Sequence, residues 1–334
     1  MAEIQAISYF LPEDTLSNEA LVQEFPEFTS EQLFKLSGIN KRHITKPYHI
    51  GSDLAFFSAE KFFKDYPNVK KADIDVLLFC TEGLDYKAPT TACLIHERLN
   101  LKSGCCAIDI PSGCTGFMNG LLLAKSLVEA KQAKQVLLIT SDVPSHVIDQ
   151  KDIEIRMIFG DGAATTLISE SKHSGVGDFV FGTDGKGAEH LMVDRSGSRD
   201  PIDEDWLNNY SNQEGRLQHG KMLMNGAEVL RFSLNKVPRL MQEVLDKNAL
   251  LSEEIDLYIF HQASGFMLKA LRRKCKIPEE KFFCYLENVG NTVSSTIPIA
   301  LHEAIKSGKA KSGDKIMLLG FGIGFSWAGT VIEL

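Results

Sequence analysis

The sequence predicts a layered α/β protein made of two similar halves. Three observations predict it. The chain has 334 residues, 44% of them hydrophobic, enough to bury one large core or two closely packed ones. Its candidate strands, such as "IDVLLFC" at 74–80 and "VLLIT" at 136–140, are near-continuous apolar runs. Strands of that kind are buried on both faces, so helices must cover both sides of their sheets. The third observation is that the chain is written twice.

The elements follow in one order in each half. "IDVLLFC" is echoed by "IDLYIFH" at 255–261, an apolar strand in each half. "PSGCTGFMNGLLLAKSLVEAKQAKQVLLIT" is echoed by "NVGNTVSSTIPIALHEAIKSGKAKSGDKIMLLG", a strand and turn of small residues leading into a helix and a further strand. "FGDGAATTLI" at 159–168 is echoed by "GIGFSWAGTVI" at 322–332, a glycine-rich turn and a closing strand. The period is about half the chain, far longer than the roughly 20–50 residues of a solenoid repeat. The expected organisation is residues 1–175 and 176–334 as two halves about a pseudo-twofold axis, with helices layered on the sheets.

Composition narrows the function classes. A net charge of -8 and a pI near 5.7 argue against nucleic acid or an anionic membrane as the main partner. The start "MAEIQAISYFLPEDTLS" has no basic region followed by an apolar one, so no signal peptide is expected. The apolar runs are strand-sized and too short to span a bilayer. Seven cysteines, an odd number without C-x-x-C spacing, suggest reduced thiols in the cytoplasm. The nine histidines form no H-x-x-x-H pair, so no metal site is expected.

One stretch, "IDIPSGCTGFMNGLLLAKSLVEAKQ" at 108–132, places Cys114 where a strand gives way to a helix. The partial positive charge of a helix N-terminus favours a thiolate there, although a free cysteine is commonly just a small buried hydrophobe. Aligning the halves sets "GCT" against "GNT", so Cys114 and Asn291 occupy equivalent turns, and it sets His261 against Cys80, each ending an apolar strand. Turns at the carboxyl ends of buried strands are where α/β proteins place ligands and chemistry. Taken singly, His261 reads as a core residue and Asn291 as a turn residue. Their convergence with Cys114 on one crevice points to chemistry.

With "SGCTGF", "FHQAS", "NVGNTVSSTIPIAL", "FGDGAA" and "GFGIGFSWAG" in this order, the whole chain resembles β-ketoacyl-(acyl-carrier-protein) synthase III, a branch of the thiolase-fold condensing enzymes. The resemblance implies a layered αβαβα thiolase-like fold, a homodimer, and no cofactor. It implies a decarboxylative Claisen condensation of an acyl thioester primer, on CoA or carrier protein, with malonyl-carrier protein. Cys114 would be the nucleophile, and His261 and Asn291 the donors to the enolate oxygen. Such a nucleophile must attack a thioester and then leave again, which suits a thiol, while the enolate needs hydrogen-bond donors. The backbone N–H groups of Cys114 and Ile323 would form the oxyanion hole, with an isoleucine where the family often has glycine. Ala88, Phe159 and Phe321 would surround the acyl pocket. Spaced glycines in "GFGIGF" also hint at a dinucleotide loop, but such a loop must open a helix, and this one runs into a strand-like tail.

Other positions depart from the family pattern. The tryptophan and arginine that clamp the nucleotide of CoA are Gln32 and Leu36 here, a basic residue beyond the histidine is Phe266, and an Arg-Gly pair reads Ile153-Glu154. A nucleotide with several phosphates would lose charge-assisted binding. The basic run "KALRRKCK" offers Lys269, Arg272, Arg273 and Lys274, and Arg231 follows "NGAEVL"; the resemblance makes these the docking surface for an acidic carrier protein. HMG-CoA synthases, in the same fold, carry a catalytic glutamate in a loop similar to "CTEGLDYKAPTTA", which makes Glu82 a candidate acid/base. The alternatives are therefore acyl transfer to an oxygen or nitrogen acceptor, or a non-decarboxylative condensation through Glu82. A non-catalytic partner subunit is disfavoured, because such partners lack the nucleophile.

Overall fold

The structure is a computed structural model that describes residues 1–172, 175–199, 201 and 220–334. The first sheet is built from β1 (Ala2–Phe10), β2 (Val76–Thr81), β3 (Cys106–Pro111), β4 (Gln135–Asp142) and β5 (Gly162–Glu170). Its helices are α1 (Gly51–Asp65), α2 (Thr91–Arg98) and α3 (Gly116–Glu129). The second sheet contains β6 (Val180–Thr183), β7 (Leu257–Phe260), β8 (Lys315–Gly322) and β9 (Ser326–Glu333). With it come α4 (Gly226–Lys247), α5 (Gly265–Lys274) and α6 (Thr296–Lys306).

The sheets have matching topology. The first runs β1-β5-β4-β2-β3 and the second β6-β9-β8-β7. In each, the first two pairings are antiparallel and the next is parallel. Helices α3 and α6 lie between the sheets; α1 and α2 cover one outer face, α4 and α5 the other. This is the five-layer αβαβα arrangement with two pseudo-twofold-related halves.

Burial follows from the apolar runs. Every residue of β2 is buried. Its alternation sends Leu77 and Phe79 to the α1 side, with Ala55, Ala59 and Phe62, and sends Leu78 and Cys80 to the central layer, with Phe117 and Leu121. Fully burying one such side chain is worth roughly 1.5–3 kcal/mol, so a charge on either face of β2 would break the sandwich.

The repeat is incomplete at one place. Among the described residues the second half has no strand equivalent to β3; an isolated parallel bridge joins Tyr258 to Phe282 instead. The reason is local. The Tyr285 N–H is taken by Gln262 Oε1 at 2.8 Å, and the chain then turns through Gly290 at φ +83° toward Asn291. "GFGIGF" is a hairpin turn between antiparallel β8 and β9, so it opens no helix.

Candidate active site

Cys114 sits in the turn after β3, buried at 6% exposure, two residues before α3 begins. Two glycines give it room. A Cβ on Gly322 would lie 2.8 Å from its Sγ, and one on Gly113 would lie 1.6 Å from Glu82 Oε1. Neither position tolerates a side chain without displacing a functional group. The backbones of Ile323 and of Cys114 itself both favour the thiolate. The helix terminus does not decide its charge, however. Burial, and then the Glu82 carboxylate, push the thiol well above its ordinary pKa, so the resting nucleophile is a neutral thiol rather than the expected thiolate. Removing an ion from water outweighs the helix field here.

His261 follows β7 and is 2% exposed. Burial drives its pKa down to about 3, so the ring is neutral. Its Nδ1 lies 2.7 Å from Thr296 Oγ1, and its ring meets Phe321 edge to face at 5.7 Å. Because Phe321 and Gly322 are consecutive, β8 ends with one residue against the imidazole and the next against Cys114. Asn291, 3% exposed, accepts from Val293 N–H at 2.9 Å and donates to Ala263 O at 3.3 Å. That fixes the side-chain amide and leaves one Nδ2 hydrogen uncommitted. Val293 adopts φ +53°, a costly conformation for a β-branched residue, at the wall of the Cys114 cavity.

Glu82, Cys114, Phe159 and Ile323 line one small cavity, with Leu191, Met222 and Val293 among its other walls. Leu191 and Met222 lie in segments that the repeat did not flag. Part of Glu82's surface is exposed, yet its carboxyl turns inward to Gly113. Burial and the neighbouring Asp142 raise its pKa. Asp142, at the end of β4, is raised by burial too. It accepts from the Glu82 backbone N–H at 2.8 Å, from Ser294 N–H at 3.1 Å, and from the Ser294 hydroxyl, tying the Glu82 loop to the turn after Asn291. Sequence reasoning missed Asp142 and Thr296; the polar ending of "LLITSD" was the available signal for the first. Cys80, the pseudo-equivalent of His261, is a buried thiol donating to Ser112 O at 3.1 Å.

The remaining candidates lie elsewhere. Ala88 is exposed on the loop after β2. On α5, Lys269, Arg273 and Lys274 are exposed, whereas Arg272 donates to Glu279 at 2.9 Å and Ile277 O at 3.2 Å and so secures the end of its helix. The side chain of Arg231 is 70% exposed and reaches Glu228 at 2.9 Å. Gln32 serves a capping box, its Oε1 accepting from Thr29 N–H at 2.8 Å, while Leu36 and Phe266 are exposed at 50% and 57%. Among the described residues there is no cluster of three metal-ligating side chains. No helix there is long and apolar enough to cross a membrane.

Comparison with known proteins gives the family. Residues 108–185 match the family described as 3-oxoacyl-[acyl-carrier-protein (ACP)] synthase III, and residues 245–334 match its C-terminal family. The β-ketoacyl-[acyl-carrier-protein] synthase III of Caldanaerobacter subterraneus is 33% identical over 99% of this chain and 97% of the relative. That of Campylobacter jejuni is 34% identical with the same coverage. The chain belongs to the β-ketoacyl-(acyl-carrier-protein) synthase III family. A crystal structure of a 3-oxoacyl-(acyl-carrier-protein) synthase III superposes with a TM-score of 0.94 at 40% identity, covering 100% of this chain and 99% of that one. The Thermus thermophilus family member gives 0.88 at 29% identity, covering 99% of each. The chain is thus an acyl-transferring condensing enzyme of thiolase fold.

Proposed function

We propose that this enzyme condenses an acyl primer with malonyl-carrier protein through an acyl-Cys114 intermediate, in fatty acid or related specialised lipid synthesis. The observation that carries the reading is the end of β8, where Phe321 meets the neutral His261 ring and Gly322 lies against Cys114. Cys114 Sγ attacks the primer's thioester carbonyl. The oxyanion is held by the N–H groups of Cys114 and Ile323, and the primer's thiol leaves carrying the cysteine proton. Malonyl thioester then loses carbon dioxide. Its enolate oxygen accepts from His261 and Asn291, and its α-carbon attacks the acyl carbonyl and expels Cys114 as the thiolate, which recovers a proton. Two neutral donors stabilise the enolate without an acid being consumed.

Carrier protein is the favoured delivery vehicle. Lys269, Arg273, Lys274 and Arg231 offer exposed positive charge, while Gln32 and Leu36 offer no cation to a nucleotide. A homodimer fits the same reading. The edge strand β3 leaves Ile108 42% exposed, and an unpaired edge of this kind invites a partner strand. Seven unpaired cysteines suit a reducing cytoplasm. Glu82 favours a second reading: a carboxyl that holds its proton beside the nucleophile can serve as an acid or base in a non-decarboxylative condensation. Intact-mass analysis after exposure to acyl-carrier and acyl-CoA donors tests the first reading. Wild type gains the acyl mass and Cys114→Ala does not; an adduct on Cys114→Ala would place the nucleophile elsewhere. Condensation by Glu82→Gln at the wild-type rate would remove the second.

A further inference from the structure

The Cys114 cavity is small, about 10 Å³, room for about one water molecule. It cannot hold more than the head of an acyl chain. A second cavity of about 300 Å³ lies alongside, lined by Leu16, Ile44, Pro47 and Ile148 together with Thr15 and Thr45. That size is at the lower end of ligand pockets. Among the described residues, Phe159 alone lines both cavities. Its main chain is pinned: Phe159 N–H donates to Ile155 O at 3.3 Å, and Gly160 N–H donates to Asn291 O at 3.0 Å. Only the ring is left to open a path.

We propose that Phe159 is a gate, and that the cavity behind it receives the distal part of the acyl chain carried on Cys114. The proposal rests on the condensing reading and adds the substrate class, a medium- or long-chain primer. The cavity's charged groups already have partners. Asp14 is paired with Lys46, and Arg156 holds Glu24 through both terminal guanidinium nitrogens at 2.7 and 3.0 Å. The polar residues Thr15, Thr45, Ser145, His146 and Gln150 complete the lining, but most of its surface is hydrocarbon, which suits an alkyl tail better than a charged ligand.

The test loads wild type with acetyl, octanoyl and dodecanoyl thioesters and reads the acyl mass on Cys114. Wild type takes the octanoyl group. Ile44→Trp and Ile148→Trp fill the cavity from two separate segments and lower the octanoyl-to-acetyl ratio at least about tenfold, since each displaced methylene is worth roughly a factor of four. Phe159→Leu raises the dodecanoyl-to-acetyl ratio. An unchanged ratio in both filling variants, or a wild type that loads acetyl alone, overturns the gate. A dodecanoyl thioester with a terminal diazirine gives an answer in wild type, independent of variant folding. Crosslinks at residues 44–47 or 148 support the cavity; crosslinks at 191–193 or 222 overturn it. Absence of loading at every chain length overturns the condensing reading, and the gate with it.

Discussion

Replacing Thr296 with valine tests whether the His261 ring is held in one tautomer. The hydroxyl has one proton and two acceptors, His261 Nδ1 at 2.7 Å and Val293 O at 3.1 Å. Assigning the proton to the shorter contact leaves the imidazole proton on Nε2, where it can donate to an enolate. Histidine and threonine are 2% and 3% exposed, so no water replaces the lost partner. An unmet buried polar group costs about 1–3 kcal/mol, a factor of about five to a hundred and fifty. Decarboxylation of malonyl thioester by Thr296→Val should fall by that factor, approaching the 10²–10³ loss expected for deleting a donor outright. Acyl loading on Cys114 should stay near wild type, and Thr296→Ser should restore most of the loss. With its pKa lowered to about 3 by burial, His261 stays neutral across the assay range, and acid should not rescue the variant. Decarboxylation at full speed, or loading and decarboxylation falling together, would refute the tautomer argument.

The other predictions concern charge and space. Glu82→Gln removes the carboxylate that raises the Cys114 thiol. Alkylation at the Cys114 peptide should therefore rise at lower pH than in wild type, and an unshifted profile would clear Glu82 of that effect. Gly322→Ala forces a Cβ to 2.6 Å from the Cys114 Cβ; loading should drop by about a hundredfold, the scale of an ångström's misplacement, with the melting temperature as control. Arg231, Arg273 and Lys274 changed together to Glu should raise KM for carrier-bound substrate and spare small thioester mimics. Salt should move wild type the same way, because exposed charges are screened beyond about 10 Å at 0.1 M. Wild-type kcat/KM strongly favouring acetyl-CoA over acyl-carrier protein would overturn the carrier preference.

The legible part of this fold was the part written in strands. Continuous apolar runs such as "VLLFC" have one stable use, and their repetition carried the two sheets and the turns holding Cys114 and Asn291. What stayed hidden depends on who stands beside whom. Pattern cannot tell that Gln262 replaces a strand neighbour, because a side chain substituting for a ladder partner leaves no periodicity. Nor can it give the charge on a thiol. The helix terminus at Gly116 argued for thiolate, but Glu82 approaches Gly113 from another strand, and burial of both groups is a property of the packed layers. The same holds for Asp142. It reads as an ordinary strand-ending acid until Ser294, 152 residues away, arrives from the other half. The tie from Asp142 to Glu82 and Ser294 couples the loop beside the nucleophile to the turn carrying Asn291. Pseudo-symmetry thus places the functional turns, while asymmetric side chains such as Asp142 and Thr296 orient what those turns carry.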